Sequence, residues 1–144
     1  MEVMSIIEIL LVEDNPAEMR LITEAFNEGT IKANITRVKD GIEAMDYLYK
    51  KDKYADSKTP SLIILDLSLP KKSGIEVLKE VKTDDKLKRI PIIVLTGSND
   101  NNDIFESYGH HVNAYITKSI DFEKFQRDMV AFKNYWLNCS ILPT

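Results

Sequence analysis

Leu62-Ile63-Ile64-Leu65-Asp66 is an apolar run that stops on a carboxylate. Four consecutive aliphatic residues closed off by Pro60 before and Pro70 after have the length of a strand buried on both faces. Only the tip of such a strand reaches solvent, so Asp66 is expected at an exposed carboxyl end. An earlier run, Ile9-Leu10-Leu11-Val12, ends the same way in Glu13-Asp14, and a late one, Ala114-Tyr115-Ile116-Thr117, ends in Lys118. Three acids and one lysine are therefore expected to converge at one sheet edge.

Working outward, strands are expected at Ile6 to Val12, Ala33 to Val38, Leu62 to Asp66, Pro91 to Thr96 and Asn113 to Thr117, each rich in Ile, Val or Leu. Helical patterns lie between them. Asn15-Pro16-Ala17-Glu18, Asp40-Gly41-Ile42-Glu43 and Ser73-Gly74-Ile75-Glu76 each set a capping side chain three residues before a glutamate. The last helix starts near Asp121 and places Phe125, Met129, Phe132 and Trp136 on one stripe, with Phe125 and Met129 read as core. Lys50 to Thr59 is read as a surface loop, as is the polar stretch Asn99 to Asn102, which is expected to be mobile. Strands alternating with helices predict a doubly wound α/β fold, a parallel sheet with right-handed crossovers and helices on both faces. In such sheets ligands bind beyond the carboxyl ends of the strands. Glu13, Asp14, Asp66, Thr96 and Lys118 all fall there.

The chain has 144 residues and a formal charge of -4, which fits one domain, residues 1–144, and leaves no basic footprint for nucleic acid or anionic membrane. No apolar stretch approaches the ~20 residues that span a bilayer. The single cysteine, Cys139, cannot close an internal disulfide, and no signal-peptide pattern opens the chain, so a cytoplasmic location is expected. After the last helix, near Leu137, only residues 138–144 remain. They are read as a short tail with no output domain.

Carboxylates brought together repel and raise one another's pKa unless a cation intervenes. Oxygen-only donors with room for water favour Mg²⁺ over a calcium cage, and no histidine or cysteine is placed to favour zinc. His110-His111 is read as part of the loop after the fourth helix, since adjacent histidines do not share a helix face. Such a cation beside a free carboxylate can orient a phosphoryl group, while a lysine and a hydroxyl take its remaining oxygens. Lys118 and Thr96 have that chemistry, and Gly97 leaves space beside them.

The set Glu13-Asp14, Asp66, Thr96-Gly97 and Tyr115-x-x-Lys118 resembles the receiver domain of two-component response regulators, over essentially the whole chain. The resemblance implies a flavodoxin-like sheet of five strands in the order 2-1-3-4-5, with Asp66 as phosphoacceptor for a sensor histidine kinase and Mg²⁺ as cofactor. It implies Asp14 and Asp66 as metal ligands, the Ser68 backbone carbonyl as a third, and Glu13 acting through a water. Lys118 and Thr96 would hold the phosphoryl group, Thr96 and Tyr115 would form the switch, and Ser68 and Ser98 would tune the phosphoryl lifetime. The longer loop before the third strand, Asp103-Ile104-Phe105-Glu106-Ser107-Tyr108, Tyr115-Ile116-Thr117-Lys118-Ser119 and the tail from Tyr135 to Pro143 are similar to the small receivers that partner bacterial phytochrome kinases. Most receivers carry a proline after the lysine, in a cis peptide. Ser119 stands there in this chain and leaves the Lys118-Ser119 isomer open.

Without an output domain the result of phosphorylation would be a changed surface of the fourth helix, fifth strand and fifth helix, read by a downstream protein. Phe132, Tyr135 and Trp136 are more aromatic than solvation requires, and related phytochrome regulators imply a homodimer through the last sheet edge and C-terminal tail. Two alternatives stand beside this reading. A phosphatase of haloacid-dehalogenase type also uses an aspartyl phosphate, but needs an acid two residues after the nucleophile, where Ser68 stands. A receiver-like binding module would keep the fold without phosphorylation.

Overall fold

A computed structural model describes residues 6–28 and 33–143. Five strands, β1 (Ile7–Val12), β2 (Ala33–Val38), β3 (Leu62–Leu65), β4 (Ile92–Thr96) and β5 (Ala114–Thr117), alternate with helices α1 (Pro16–Asn27), α2 (Gly41–Leu48), α3 (Gly74–Thr83), α4 (Asn101–Gly109) and α5 (Phe122–Lys133). The sheet order is β2-β1-β3-β4-β5, and every neighbouring pair is parallel. This is the expected doubly wound topology. Its register sets Val12 beside Leu65, Leu65 beside Val94, and Thr96 beside Thr117. The residues that follow Val12, Leu65 and Thr117 therefore emerge together.

The sheet separates two apolar layers because successive side chains point to opposite faces. Leu10, Val12, Ile63, Leu65, Ile92 and Val94 pack with Leu48, Val77, Leu78 and Val81 from α2 and α3. Their alternates Ile9, Leu11, Leu62, Ile64, Ile93 and Leu95 pack with Ile22, Phe26, Phe125, Met129 and Phe132 from α1 and α5. Phe26 and Phe132 meet edge to face with centroids 5.4 Å apart. Burying a side chain of this size contributes ~1.5–3 kcal/mol. Phe132 thus belongs to the core with Phe125 and Met129, and of Phe132, Tyr135 and Trp136 only Tyr135 is well exposed.

The helix starts form the forward half of each expected capping box. Asn15 accepts from the Ala17 and Glu18 N–H groups, Asp40 from Glu43 and Ser73 from Glu76. The return bonds are absent among the described residues. Asn15 N–H donates to Glu13 Oε1 instead, Glu43 receives the Tyr54 hydroxyl, and Glu18 turns toward Lys118.

Three expectations about loops change. Asp100 accepts from the Asn102 and Asp103 N–H groups and so starts α4 at Asn101, which makes half of the expected mobile loop helical. Inside Lys50 to Thr59, Asp52–Tyr54 forms a turn of 3-10 helix. After α5 the chain continues as a π-helical segment, Asn134–Cys139, so it remains helical past Leu137 and into the expected tail. Trp136, Leu137 and Leu142 pack against the α1/α5 layer. Thr144, the last tail residue, lies outside the described residues. Among them no peptide bond is cis, so Lys118-Ser119 is trans, and no helix is long and apolar enough to cross a membrane.

Candidate functional site

Asp66 stands one residue beyond β3, where an exposed tip is expected, but it is only 6% exposed, held back by its N–H donating to the Val12 carbonyl at 3.0 Å. Its carboxylate meets donors from three directions. Oδ1 accepts from Thr96 Oγ1 at 2.9 Å and from the Ser68 N–H at 3.0 Å, and Oδ2 accepts from Lys118 Nζ at 2.9 Å. Thr96 is fully buried at the end of β4, so its hydroxyl is aimed rather than free to rotate into solvent. Lys118 follows β5 and is fixed at the backbone by donating its N–H to the Thr96 carbonyl at 2.7 Å.

Two glycines shape the space around Asp66. At Gly74 a Cβ would lie 2.6 Å from Leu67 Cα and closer still to the Asp66 carbonyl oxygen, so the β3–α3 loop can close over α3 only on a glycine. At Gly97 a Cβ would meet nothing within 4 Å. The space beyond Thr96 is open.

Lys118 Nζ also donates to Glu13 Oε2 at 2.6 Å and to Glu18 Oε2 at 2.5 Å. Three carboxylates thus surround one ammonium whose side chain is 10% exposed. Burial pushes Glu13 up to about 7 against the hydrogen bond from Lys118, with repulsion from Asp66 adding to burial. Burial also raises Asp66, but hydrogen bonds from Lys118 and the Ser68 N–H outweigh it and hold the group below the usual carboxylate range. Burial opposes the Lys118 charge, and hydrogen bonds to Glu13, Glu18 and Asp66 more than restore it, so its pKa lies above the ordinary value. A proton arriving at the pair is therefore held by Glu13 in preference to Asp66.

Of the residues expected here, Glu13, Asp66, Thr96 and Lys118 are brought into direct contact. Asp14 is exposed after β1, and Ser68 is exposed in the loop that follows Asp66. Tyr115 is half-buried against the α2/α3 layer, and its hydroxyl donates to the Ser98 carbonyl at 2.8 Å. Ser98 in turn donates to Asp103 Oδ2 at 2.6 Å, which ties Tyr115 through the β4–α4 loop to the first turn of α4. His110 caps the carboxyl end of α4 and His111 follows it in the turn, as the loop reading expects.

Glu18 is the residue that sequence reasoning missed. Its place in a capping box accounted for it, and only the first-turn geometry of α1 turns it toward Lys118. Glu13, Glu18 and Asp66 offer carboxylate oxygens that all lie within 4.8 Å of one another. An all-oxygen donor set of this kind fits a hard divalent cation.

Residues 9–129 match the model of the response regulator receiver domain. Response regulator Rcp1 of Synechocystis sp. is 43% identical over 135 residues, which cover 94% of this chain and 92% of Rcp1. The probable methanogenesis regulatory protein FilR2 of Methanothrix harundinacea is 39% identical over 94% of this chain and 86% of its own. Among solved structures, the phosphorylated cyanobacterial phytochrome response regulator RcpA superposes with a TM-score of 0.94 at 46% identity, covering 97% of this chain and all of RcpA. The Mn²⁺-bound form of Rcp1 gives 0.93 at 42% identity, covering 95% and 99%. Neither Ser68 nor these likenesses support the haloacid-dehalogenase alternative. The chain belongs to the response regulator receiver domain family and is a response regulator similar to those of cyanobacterial phytochromes.

Proposed function

We propose that Asp66 is the phosphoacceptor through which a sensor histidine kinase drives this response regulator. One observation carries the reading. The Asp66 carboxylate receives Lys118, the Thr96 hydroxyl and the Ser68 N–H at once, at the tip of the central strand and beside the open space at Gly97. Asp66 attacks the phosphorus of a phosphohistidine in line; the new P–O bond forms as the P–N bond breaks, and the imidazole leaves. Lys118 and Thr96 already hydrogen-bond the acceptor, so they are poised to take the phosphoryl oxygens as these arrive. Asp14, Asp66 and the Ser68 carbonyl would hold Mg²⁺, with Glu13 acting through a water. The ion supplies charge neutralisation for the phosphoryl oxygens. That the Rcp1 crystal contains Mn²⁺ supports a divalent site here.

The phosphoryl group adds a charge of about -2 next to Thr96. Movement of Thr96 toward it loosens the β4–α4 loop, and the Tyr115–Ser98–Asp103 connection carries that change to α4 and β5. The output is this surface, presented in the cytoplasm to a downstream protein. A match that fills 92% of Rcp1 supports an output made by the receiver itself.

A kinase of phytochrome type is supported by the likeness to RcpA, while FilR2, at 39% identity, is a probable methanogenesis regulatory protein. The homodimer reading rests on β5, which ends the sheet, and on a groove of about 750 Å³ between it and α5 lined by Tyr115, Thr117, Asp128, Phe132, Tyr135 and Trp136. Tyr135 is 58% exposed at its rim, and a second copy would bury it. Incubation with acetyl phosphate and Mg²⁺ tests the function. Hydroxylamine-sensitive labelling is expected in the wild type, and equal labelling of Asp66→Asn refutes it.

A further inference from the structure

An ammonium has three N–H donors, and in Lys118 all three are taken: by Glu13, Glu18 and Asp66. A phosphoryl group on Asp66 takes over the one donor that Asp66 now holds, and a second phosphoryl oxygen can reach Lys118 only if another partner lets go. The two that remain differ in what they lose. Glu13 has a side chain 2% exposed and its second oxygen already accepts the Asn15 N–H at 3.1 Å. Glu18 projects from the first turn of α1 with its side chain 37% exposed, and Lys118 is the one hydrogen-bond partner recorded for its carboxylate among the described residues. Water can replace Lys118 at Glu18 and cannot do so at Glu13.

We infer that Glu18 is a displaceable counter-ion, a positioning residue that occupies the third donor of Lys118 in the unphosphorylated protein and is exchanged for the phosphoryl group when Asp66 is modified. The inference rests on Asp66 as the phosphoacceptor. It goes beyond the receiver resemblance, which assigns Glu18 nothing. Exchange makes the bound phosphoryl group compete with a carboxylate of this chain, so Glu18 lowers the affinity of the site for a phosphoryl group and helps fix how readily the group is lost. The same position on α1 leaves Glu18 carboxylate near the phosphoryl charge, and repulsion acts in the same direction.

The test uses the full-length protein and beryllofluoride, an acyl-phosphate mimic, at saturating Mg²⁺, with binding followed by ¹⁹F NMR. Loss of one partly exposed charged pair predicts that Glu18→Gln binds the mimic about fivefold more tightly than wild type. In the absence of the mimic, the Lys118 ammonium resonance should shift in Glu18→Gln, while the unfolding midpoint stays close to wild type. Glu18→Asp, whose shorter side chain still carries the charge, should bind the mimic with an affinity between the two. Equal or weaker binding by Glu18→Gln overturns the inference and leaves Asp66 as acceptor untouched; weaker binding would make Glu18 a metal ligand instead. An ammonium resonance that ignores the substitution also overturns it. Failure of both proteins to bind beryllofluoride brings down the Asp66 reading and this inference together.

Discussion

Gly74→Ala should damage both the fold and the site, and the same change at Gly97 should damage neither the fold nor its stability. A Cβ at Gly74 would sit 2.6 Å from Leu67 Cα, with the Asp66 carbonyl oxygen nearer still. Ordinary carbon contacts begin near 3.5 Å, so about 1 Å of movement is needed. Nothing flexible can supply it, because both obstacles are backbone. The Gly74 N–H donates to the Leu67 carbonyl at 3.1 Å and the Ser68 N–H to Asp66 Oδ1 at 3.0 Å, so the loop moves as a unit with the acceptor. Overpacking of this kind costs ~1–3 kcal/mol. For a chain of this size that corresponds to a drop in Tm of about 3–10 °C. Displacing Asp66 by a fraction of an ångström should also slow phosphorylation from a small donor, by up to ~100-fold. Gly97→Ala, with nothing within 4 Å, should stay within ~0.5 kcal/mol of wild type. Urea unfolding monitored by circular dichroism reads the first quantity, and labelling rate the second. A Gly74→Ala protein as stable as wild type, or a Gly97→Ala protein as damaged as Gly74→Ala, would refute the reasoning.

Other changes separate structure from chemistry. Lys118→Met leaves Glu13 and Asp66 buried without their cation and should cost ~3 kcal/mol, at the low end for a broken buried pair because Glu13 can take up a proton; chemical denaturation at neutral pH measures it. Phe132→Ala removes the edge-to-face partner of Phe26 from the α1/α5 layer and should cost ~3–5 kcal/mol while leaving Asp66 able to be labelled. Asn15→Ala strips the cap that accepts two N–H groups of α1 and should cost ~1 kcal/mol, read from the urea midpoint. For the homodimer reading, sedimentation equilibrium should give twice the chain mass, and Tyr135→Glu at the groove rim should shift it toward the monomer.

The strands, the helix starts and the convergence of Glu13, Asp66, Thr96 and Lys118 were legible because they follow from short apolar runs and from what stands at their ends, whereas the order 2-1-3-4-5 came from the resemblance to receiver domains. Burial on both faces leaves a strand few places to show a polar residue, and Asp66 marks one of them. Glu18 was not legible for a local reason. A glutamate three residues after a capping asparagine satisfies a helix-start pattern, and nothing along the chain says that its carboxylate will reach across to β5. Phe132 failed the same way in reverse: three aromatics and a methionine on one stripe do not reveal where α5 rolls from core to solvent, which Phe26 across the interface decides. The start of α4 at Asn101 depended on Asp100, a capping residue hidden in a polar run where every neighbour is also a plausible cap.

The central claim is that Asp66 carries the phosphoryl group. Borohydride reduction of the protein after incubation with acetyl phosphate and Mg²⁺ converts an aspartyl phosphate to homoserine, which peptide mass spectrometry can locate. Homoserine is expected at position 66 and at no other aspartate. Reduction at Asp14 with residue 66 unchanged, or a stable phosphoryl mass on the protein with no homoserine at all, would contradict it.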